Sequence, residues 1–192
     1  MKLLEQLRAG DEGAFVALVA RHQDSMLRLA STFVPTRAVA EEVVQETWLG
    51  VVRGIDRFEG RSSLQTWLLR ILVNRARSAG TKERRTFPIA EIGPTVASSR
   101  FDEHGGWASP PAPWAEDIED RIDAAGLAGA LRAALAALPP MQRQVVALRD
   151  VDGLDSREVC SVLDITAGNQ RVLLHRGRSG LRRALETAQG RI

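Results

Sequence analysis

The sequence predicts an all-α protein made of two small helical domains. Apolar residues recur at the three- and four-residue spacing of amphipathic helices, and no segment sustains the apolar alternation that a sheet requires. Five of the eight prolines fall between residues 88 and 113, where they exclude a helix. We therefore expect a first domain at residues 1–79, a flexible proline-rich linker at 80–117 and a second domain at 118–192.

The composition excludes several classes of protein. The chain has 192 residues, 44% hydrophobic and 26% charged, as in ordinary folded proteins. No apolar run approaches the roughly 20 residues that cross a bilayer, and the N-terminus lacks a signal-peptide core, so we expect a cytoplasmic protein without membrane insertion. Cys160 is alone and permits no internal disulfide; we expect it to be buried as a small hydrophobe. His22, His104 and His175 lie far apart, so we expect no metal and no cofactor.

The first domain opens with two predicted amphipathic helices. Apolar residues from Phe15 to Phe33 keep helical spacing until Pro35 ends the helix. Thr36 is suited to cap the next helix. Taken alone, the polar side of that helix is a solvated surface, and it carries Glu41, Glu42, Gln45 and Glu46.

The third helix, within RSSLQTWLLRILVNRARS at residues 61–78, has an apolar stripe and a regular polar side. Ser62 and Gln65 match a capping box, and Gly80 predicts the end of the helix. At about 3.6 residues per turn, the polar side forms one narrow strip with Trp67 at its border. The strip contains Thr66, Arg70, Asn74 and Arg77.

The residue types of this strip suit single-stranded nucleic acid. Arginine neutralises phosphate, Asn and Thr bond to base edges, and an aromatic ring can stack on an unpaired base. A solvated polar face, with Trp67 in the core, explains the same pattern.

The second domain predicts a helix-turn-helix unit. Pro139 and Pro140 suit the first turn of a helix that runs to Arg149. After the turn VDGLD, Asp155 and Glu158 form a capping box. A final helix follows from Ala167 to about Glu186, capped by Thr166. Two helices joined by so short a turn are typical of DNA-binding domains.

The final helix is strongly basic. From residue 168 onward there are six arginines and one acidic residue, Glu186. Arginine can bind guanine edges in a major groove, although many basic helices touch no DNA. Gly177 lies on the inner side, where it permits close packing, and Gly180 is expected to soften the helix. The outward residues are Asn169, Arg171, Val172, His175, Arg176 and Ser179, with Arg178, Arg182 and Arg183 placed for phosphate contacts.

Three ordered motifs resemble the extracytoplasmic-function (ECF) class of bacterial sigma-70 family factors. They are VAEEVVQETWLGVV, RFEGRSSLQTWLLRILVNRA and the helix-turn-helix segment LPPMQRQVVALRDVDGL with EVCSVLDITAGNQRVLLHRGRSGLRRAL. The resemblance covers nearly the whole chain outside the linker. It implies a specificity subunit of RNA polymerase that has no catalytic residues of its own and that an anti-sigma factor holds inactive.

The resemblance assigns a role to each predicted face. Glu41, Glu42, Gln45 and Glu46 would dock on the beta-prime clamp helices of core RNA polymerase, and the beta subunit would also be contacted. A minus-ten loop pocket would contain Phe58, Arg61, Ser62 and Ser63. The melted strand would be held by Gln65, Thr66, Trp67, Arg70, Asn74 and Arg77. The minus-thirty-five element would be read by Asn169, Arg171, Val172, His175, Arg176 and Arg178. In the linker, Phe101, Trp107 and Trp114 would act as anchors among acidic residues.

Two other function classes compete with this interpretation. A stand-alone helix-turn-helix regulator would bind duplex promoter DNA without polymerase, and its first domain would sense a signal. A small all-α enzyme is disfavoured because the sequence contains no paired carboxylates, nucleophile with base, or phosphate loop.

Overall fold

A computed structural model describes residues 2–86 and 124–189, and within these ranges the fold is helical without strands. The predicted all-α class is confirmed. The helices are α1 (Lys2–Arg8), α2 (Glu12–Ala30), α3 (Arg37–Gly54), α4 (Leu64–Thr86), α5 (Ala124–Ala137), α6 (Pro140–Val146), α7 (Ser156–Leu163) and α8 (Ala167–Gln189). A short 3-10 turn follows α3 at Ile55–Arg57, and a π-helical turn follows α6 at Ala147–Val151.

The chain forms two compact units. The first contains α1 to α4 together with Asp152–Ile165, and the second contains α5, α6 and α8. Residues 152–165 were assigned by sequence to the second domain, but they pack with the first unit. The predicted anchors Phe101, Trp107 and Trp114, like His104, lie outside the described residues.

Local capping sets several helix starts. Asp11 accepts a 2.9 Å hydrogen bond from the Ala14 amide at the start of α2. Thr36 caps α3 through the Val39 amide, as predicted. Helix α2 ends at Ala30, so the prediction that it continues to Phe33 was wrong: the chain leaves the helix in a turn before Pro35.

The core of the first unit is a set of aliphatic side chains where α2, α3 and α4 meet. Burial of each large side chain stabilises the fold by about 1.5–3 kcal/mol. Trp48 closes one side of this core: its ring meets Phe15 edge-on at 5.8 Å, and its Nε1 donates to Gln23 at 2.7 Å. Fully buried side chains of these three helices include Met26, Leu29, Val44, Val51, Leu68, Leu69, Leu72 and Val73.

Gly80 does not end α4, which continues to Thr86, so this predicted helix stop was wrong. The reason is tertiary. A Cβ at position 80 would lie 2.5 Å from the backbone oxygen of Phe33. Gly80 therefore allows α4 to pass close to the end of α2, and the first residues of the predicted linker are helical.

Two glycines of α8 allow the second unit to pack closely. A Cβ at Gly177 would lie 2.5 Å from Val146 Cγ2, which agrees with the predicted inner position. A Cβ at Gly180 would lie 2.7 Å from Leu138 Cδ2. The sequence predicted only that Gly180 softens the helix. That prediction was incomplete, because Gly180 also faces Leu138.

Across the described residues, no helix combines the length and apolarity needed to cross a bilayer.

Candidate nucleic-acid interface

The polar side of α3 is exposed along its length, and we call it the acidic face: Glu41, Glu42, Gln45 and Glu46. Arg37 pairs with Glu41 at 2.8 Å, and Arg75 of α4 pairs with Glu46 at 3.1 Å. A groove of about 590 Å³ runs between α3 and α4, and Glu42, Glu46, Asn74 and Lys82 are among its lining residues. Negatively charged side chains of the acidic face therefore line a concave surface.

Exposed apolar residues extend the acidic face, and sequence reasoning missed them. Leu49 is 57% exposed and Val52 is 54% exposed. They stand four and seven residues after Gln45, a spacing that places them on the same side of the helix. That spacing was the signal that could have identified them.

The polar strip of α4 is only partly open to solvent. Arg70 and Asn74 are exposed, and Arg77 is half-buried. Thr66 is only 2% exposed, so its predicted outward position was wrong. The physical reason is that the Thr66 hydroxyl donates to Glu158 Oε1 at 2.7 Å, beneath residues 152–165.

The start of α4 differs from the predicted capping box. Ser63, rather than Ser62, caps the helix by accepting from the Thr66 amide at 3.1 Å. Gln65 does not close a box with Ser62; its Nε2 donates to the Asp152 backbone oxygen at 3.0 Å. Ser62 is exposed.

The loop before α4 is supported by two aromatic rings. Phe58 is buried and packs against Trp67 with a 5.1 Å centroid separation. Trp67 is half-buried, as its predicted border position implies. Arg8 fixes the loop backbone by donating to the Phe58 oxygen at 2.6 Å. Arg61 is exposed and pairs with Glu59 at 3.1 Å.

Helix α7 has the predicted capping box. Asp155 Oδ1 accepts from the Glu158 amide at 2.8 Å, and Glu158 Oε2 accepts from the Asp155 amide at 2.9 Å. Hydrogen bonds from the Asp155 backbone, and then from the hydroxyls of Thr66 and Ser63, lower the pKa of Glu158. Cys160 was expected to be buried, but it is partly exposed on this short helix.

Asp152 fixes the start of the segment that carries α7. Its carboxylate accepts from Ser25 Oγ at 2.6 Å and lies 3.6 Å from Arg28. Nearby, burial and the charge of Arg21 lower the pKa of His22, and the negative charge of Asp152 opposes this shift.

The basic helix α8 presents its predicted residues unevenly. Asn169 and Arg171 are exposed, whereas Val172, His175 and Arg176 are half-buried.

Arg178 of α8 is exposed and forms two hydrogen bonds with Asp150, at 3.0 and 2.6 Å. These bonds raise the pKa of Arg178. One proposed phosphate contact is thus held by a carboxylate of its own unit.

Comparison with known families matches both halves of the chain. Residues 18–86 match Sigma-70 region 2, and residues 128–181 match Sigma-70, region 4. The chain is 30% identical over 179 residues to the ECF RNA polymerase sigma-E factor of Escherichia coli (strain K12), covering 93% of this chain and 90% of the relative. It is 28% identical over 187 residues to the RNA polymerase sigma-H factor of Pseudomonas aeruginosa, covering 96% and 93%.

Two solved structures share the fold. CnrH in complex with the cytosolic domain of CnrY aligns with a TM-score of 0.59 and 22% identity, covering 96% of each chain. The sigma factor RpoE in complex with the anti-sigma factor NepR from Bartonella quintana aligns with a TM-score of 0.61 and 20% identity, covering 90% of this chain and 96% of that one.

Proposed function

Because the chain belongs to the ECF class of the sigma-70 family, we propose that it binds core RNA polymerase and directs promoter-specific initiation. One observation carries this proposal: region 2 and region 4 follow each other on one chain, which is 30% identical over 93% of its length to sigma-E factors. The polymerase supplies the catalysis, and this chain supplies the selectivity.

The acidic face is the proposed contact with the beta-prime clamp helices. Its four side chains are exposed, and Glu42 and Gln45 make no polar contact with other described residues. A negative face steers assembly with a basic partner and fixes its register. Leu49 and Val52 add exposed apolar area beside it, which suits a docking surface with an apolar centre and a charged rim.

The loop before α4 and the polar strip form the proposed reader of the minus-ten element. Arg61, Arg70 and Asn74 are exposed, as phosphate and base contacts must be. The ring contact between Phe58 and Trp67 anchors the loop to α4. A pocket that accepts only an extruded base makes strand opening selective for sequence, because unstacking costs a few kcal/mol.

Helix α8 is the proposed reader of the minus-thirty-five duplex. Asn169 and Arg171 stand exposed near its N-terminal end, the end that reaches base edges in helix-turn-helix proteins. One good bidentate contact between arginine and guanine discriminates by about 1–3 kcal/mol. Val172, His175 and Arg176 complete the proposed reading surface, with Arg178 at its margin.

We also propose an anti-sigma factor as a partner. The solved RpoE structure holds the anti-sigma factor NepR. A protein that covers the acidic face or the readers would prevent initiation.

The test is assembly with purified core polymerase followed by transcription from promoter fragments. Glu42→Lys should weaken assembly about tenfold or more and abolish promoter-dependent transcripts. Asp24→Lys makes the same charge change at an exposed position of α2 and should leave assembly unchanged. Failure of the wild-type chain to bind core polymerase, or equal loss in both variants, would refute the proposal.

A further inference from the structure

We propose that Asp152–Ile165, here called the docked segment, binds the polar strip of α4 and competes there with single-stranded DNA. The competition rests on the proposed function, whereas the docking stands on the contacts within the first unit. The partner of this surface is thus a segment of the same chain, and promoter DNA must displace it.

Glu158 makes the central contact. Its Oε1 accepts from Ser63 Oγ and from Thr66 Oγ1, each at 2.7 Å, while its Oε2 accepts from the Asp155 amide. One carboxylate therefore joins the start of α7 to the start of α4. The contact leaves Thr66 only 2% exposed, so a nucleotide cannot reach this hydroxyl while the segment is docked.

Two contacts hold the ends of the docked segment. At its start, Gln65 Nε2 donates to the Asp152 backbone oxygen at 3.0 Å. At its end, Arg77 Nη2 donates to the backbone oxygen of Leu163. Gln65 and Arg77 are twelve residues apart on α4, roughly 18 Å along the helix axis at 1.5 Å per residue. The segment therefore lies along most of the strip.

The chemistry of the docked segment imitates that of a nucleic-acid strand. The strip and the neighbouring Gln65 provide hydroxyl, guanidinium and amide donors, and the docked segment provides a carboxylate and two backbone oxygens as acceptors. A DNA strand would bring phosphate oxygens and base acceptors to the same donors. Each donor can form a good hydrogen bond with only one of the two ligands at a time. Binding of the docked segment and binding of the DNA strand are therefore mutually exclusive.

Two residues of the strip stay accessible. Arg70 and Asn74 are exposed between the covered positions. They give a strand its first contacts, from which it can displace the segment. The docked segment thus restricts access of DNA to the polar strip of α4 but does not block it completely.

The test separates this contact from the stability of α7. Glu158→Ala removes the carboxylate from α4 and also breaks the capping box, whereas Asp155→Ala breaks the capping box alone. Native-state hydrogen exchange of residues 67–71 in the full chain should be about tenfold faster in Glu158→Ala than in Asp155→Ala, because hydrogen bonds to a charged group are lost. Equal exchange in the two variants would overturn the docking.

A further variant tests the docking even if α7 unfolds in both Glu158→Ala and Asp155→Ala. Thr66→Val keeps both halves of the capping box and removes one donor to Glu158. It should speed exchange of residues 156–163 several-fold. Unchanged exchange there would also overturn the docking.

The competition is measured by fluorescence anisotropy with a short labelled DNA single strand of randomised sequence. Glu158→Ala should bind it about tenfold more tightly than Asp155→Ala. Faster exchange without tighter strand binding would overturn the competition. The polymerase assay uses neither variant, so a failure of the proposed function is seen separately.

Discussion

Replacing Gly177 by alanine is expected to destabilise the second unit, although alanine is the better helix former. Alanine gains about 0.8–1 kcal/mol of helix propensity over glycine. Against this, its Cβ would lie 2.5 Å from Val146 Cγ2 and 3.3 Å from the Gln142 backbone oxygen. Val146 is 2% exposed and β-branched, so its methyl group cannot rotate away easily. Overpacking of this kind costs about 1–3 kcal/mol, so after the gain in helix propensity the net loss is up to about 2 kcal/mol.

The matched control is Gly129→Ala in α5, where no atom of the described residues lies within 4 Å of the added Cβ. This variant should gain about 0.8–1 kcal/mol. Native-state hydrogen exchange measures the free energy of opening of α6 and α8 in each variant. An opening free energy of Gly177→Ala equal to or above that of the wild type would refute the packing argument.

Three further predictions concern the first unit. Gly80→Ala places a Cβ 2.5 Å from the Phe33 backbone oxygen, and after the gain in helix propensity it should lower the free energy of unfolding by up to about 2 kcal/mol in urea titrations; an unchanged midpoint would contradict it. Leu68→Ala empties a fully buried site and should cost about 2–5 kcal/mol in the same titration, whereas a cost below about 1 kcal/mol would show that the core collapses around the cavity. Because the pKa of Glu158 is lowered in the folded protein, its carboxylate stabilises the fold fully at pH values above the ordinary pKa of 4.5. This stabilisation is lost as the pH falls through the lower pKa of the folded state. Exchange protection of α7 should fall over that window in the wild type and stay flat in Glu158→Gln.

Local chemistry explains which elements the sequence predicted well. Thr36 and the pair of Asp155 and Glu158 cap their helices as expected, because a cap depends on side chains within three residues. The exposure of the acidic face also follows from helical periodicity.

The missed features depend on contacts between residues far apart in the chain. Gly80 matched a helix stop, but it is a point of close approach to Phe33. Thr66 matched an outward polar position, but Glu158 covers it from 92 residues away. Periodicity within one helix carries no information about such partners. Ser62 and Ser63 are equally suited to cap α4, and only the geometry of the loop selects Ser63.

Promoter selection by this chain is measured by transcribing fragmented genomic DNA with core polymerase loaded with this chain and sequencing the RNA 5′ ends. We expect start sites that share a minus-ten and a minus-thirty-five motif. Arg171→Ala should weaken the dependence of transcription on the upstream motif, and Asn74→Ala should weaken its dependence on the downstream motif. Start sites without a shared motif, or the same start sites with and without the wild-type chain, would contradict this expectation.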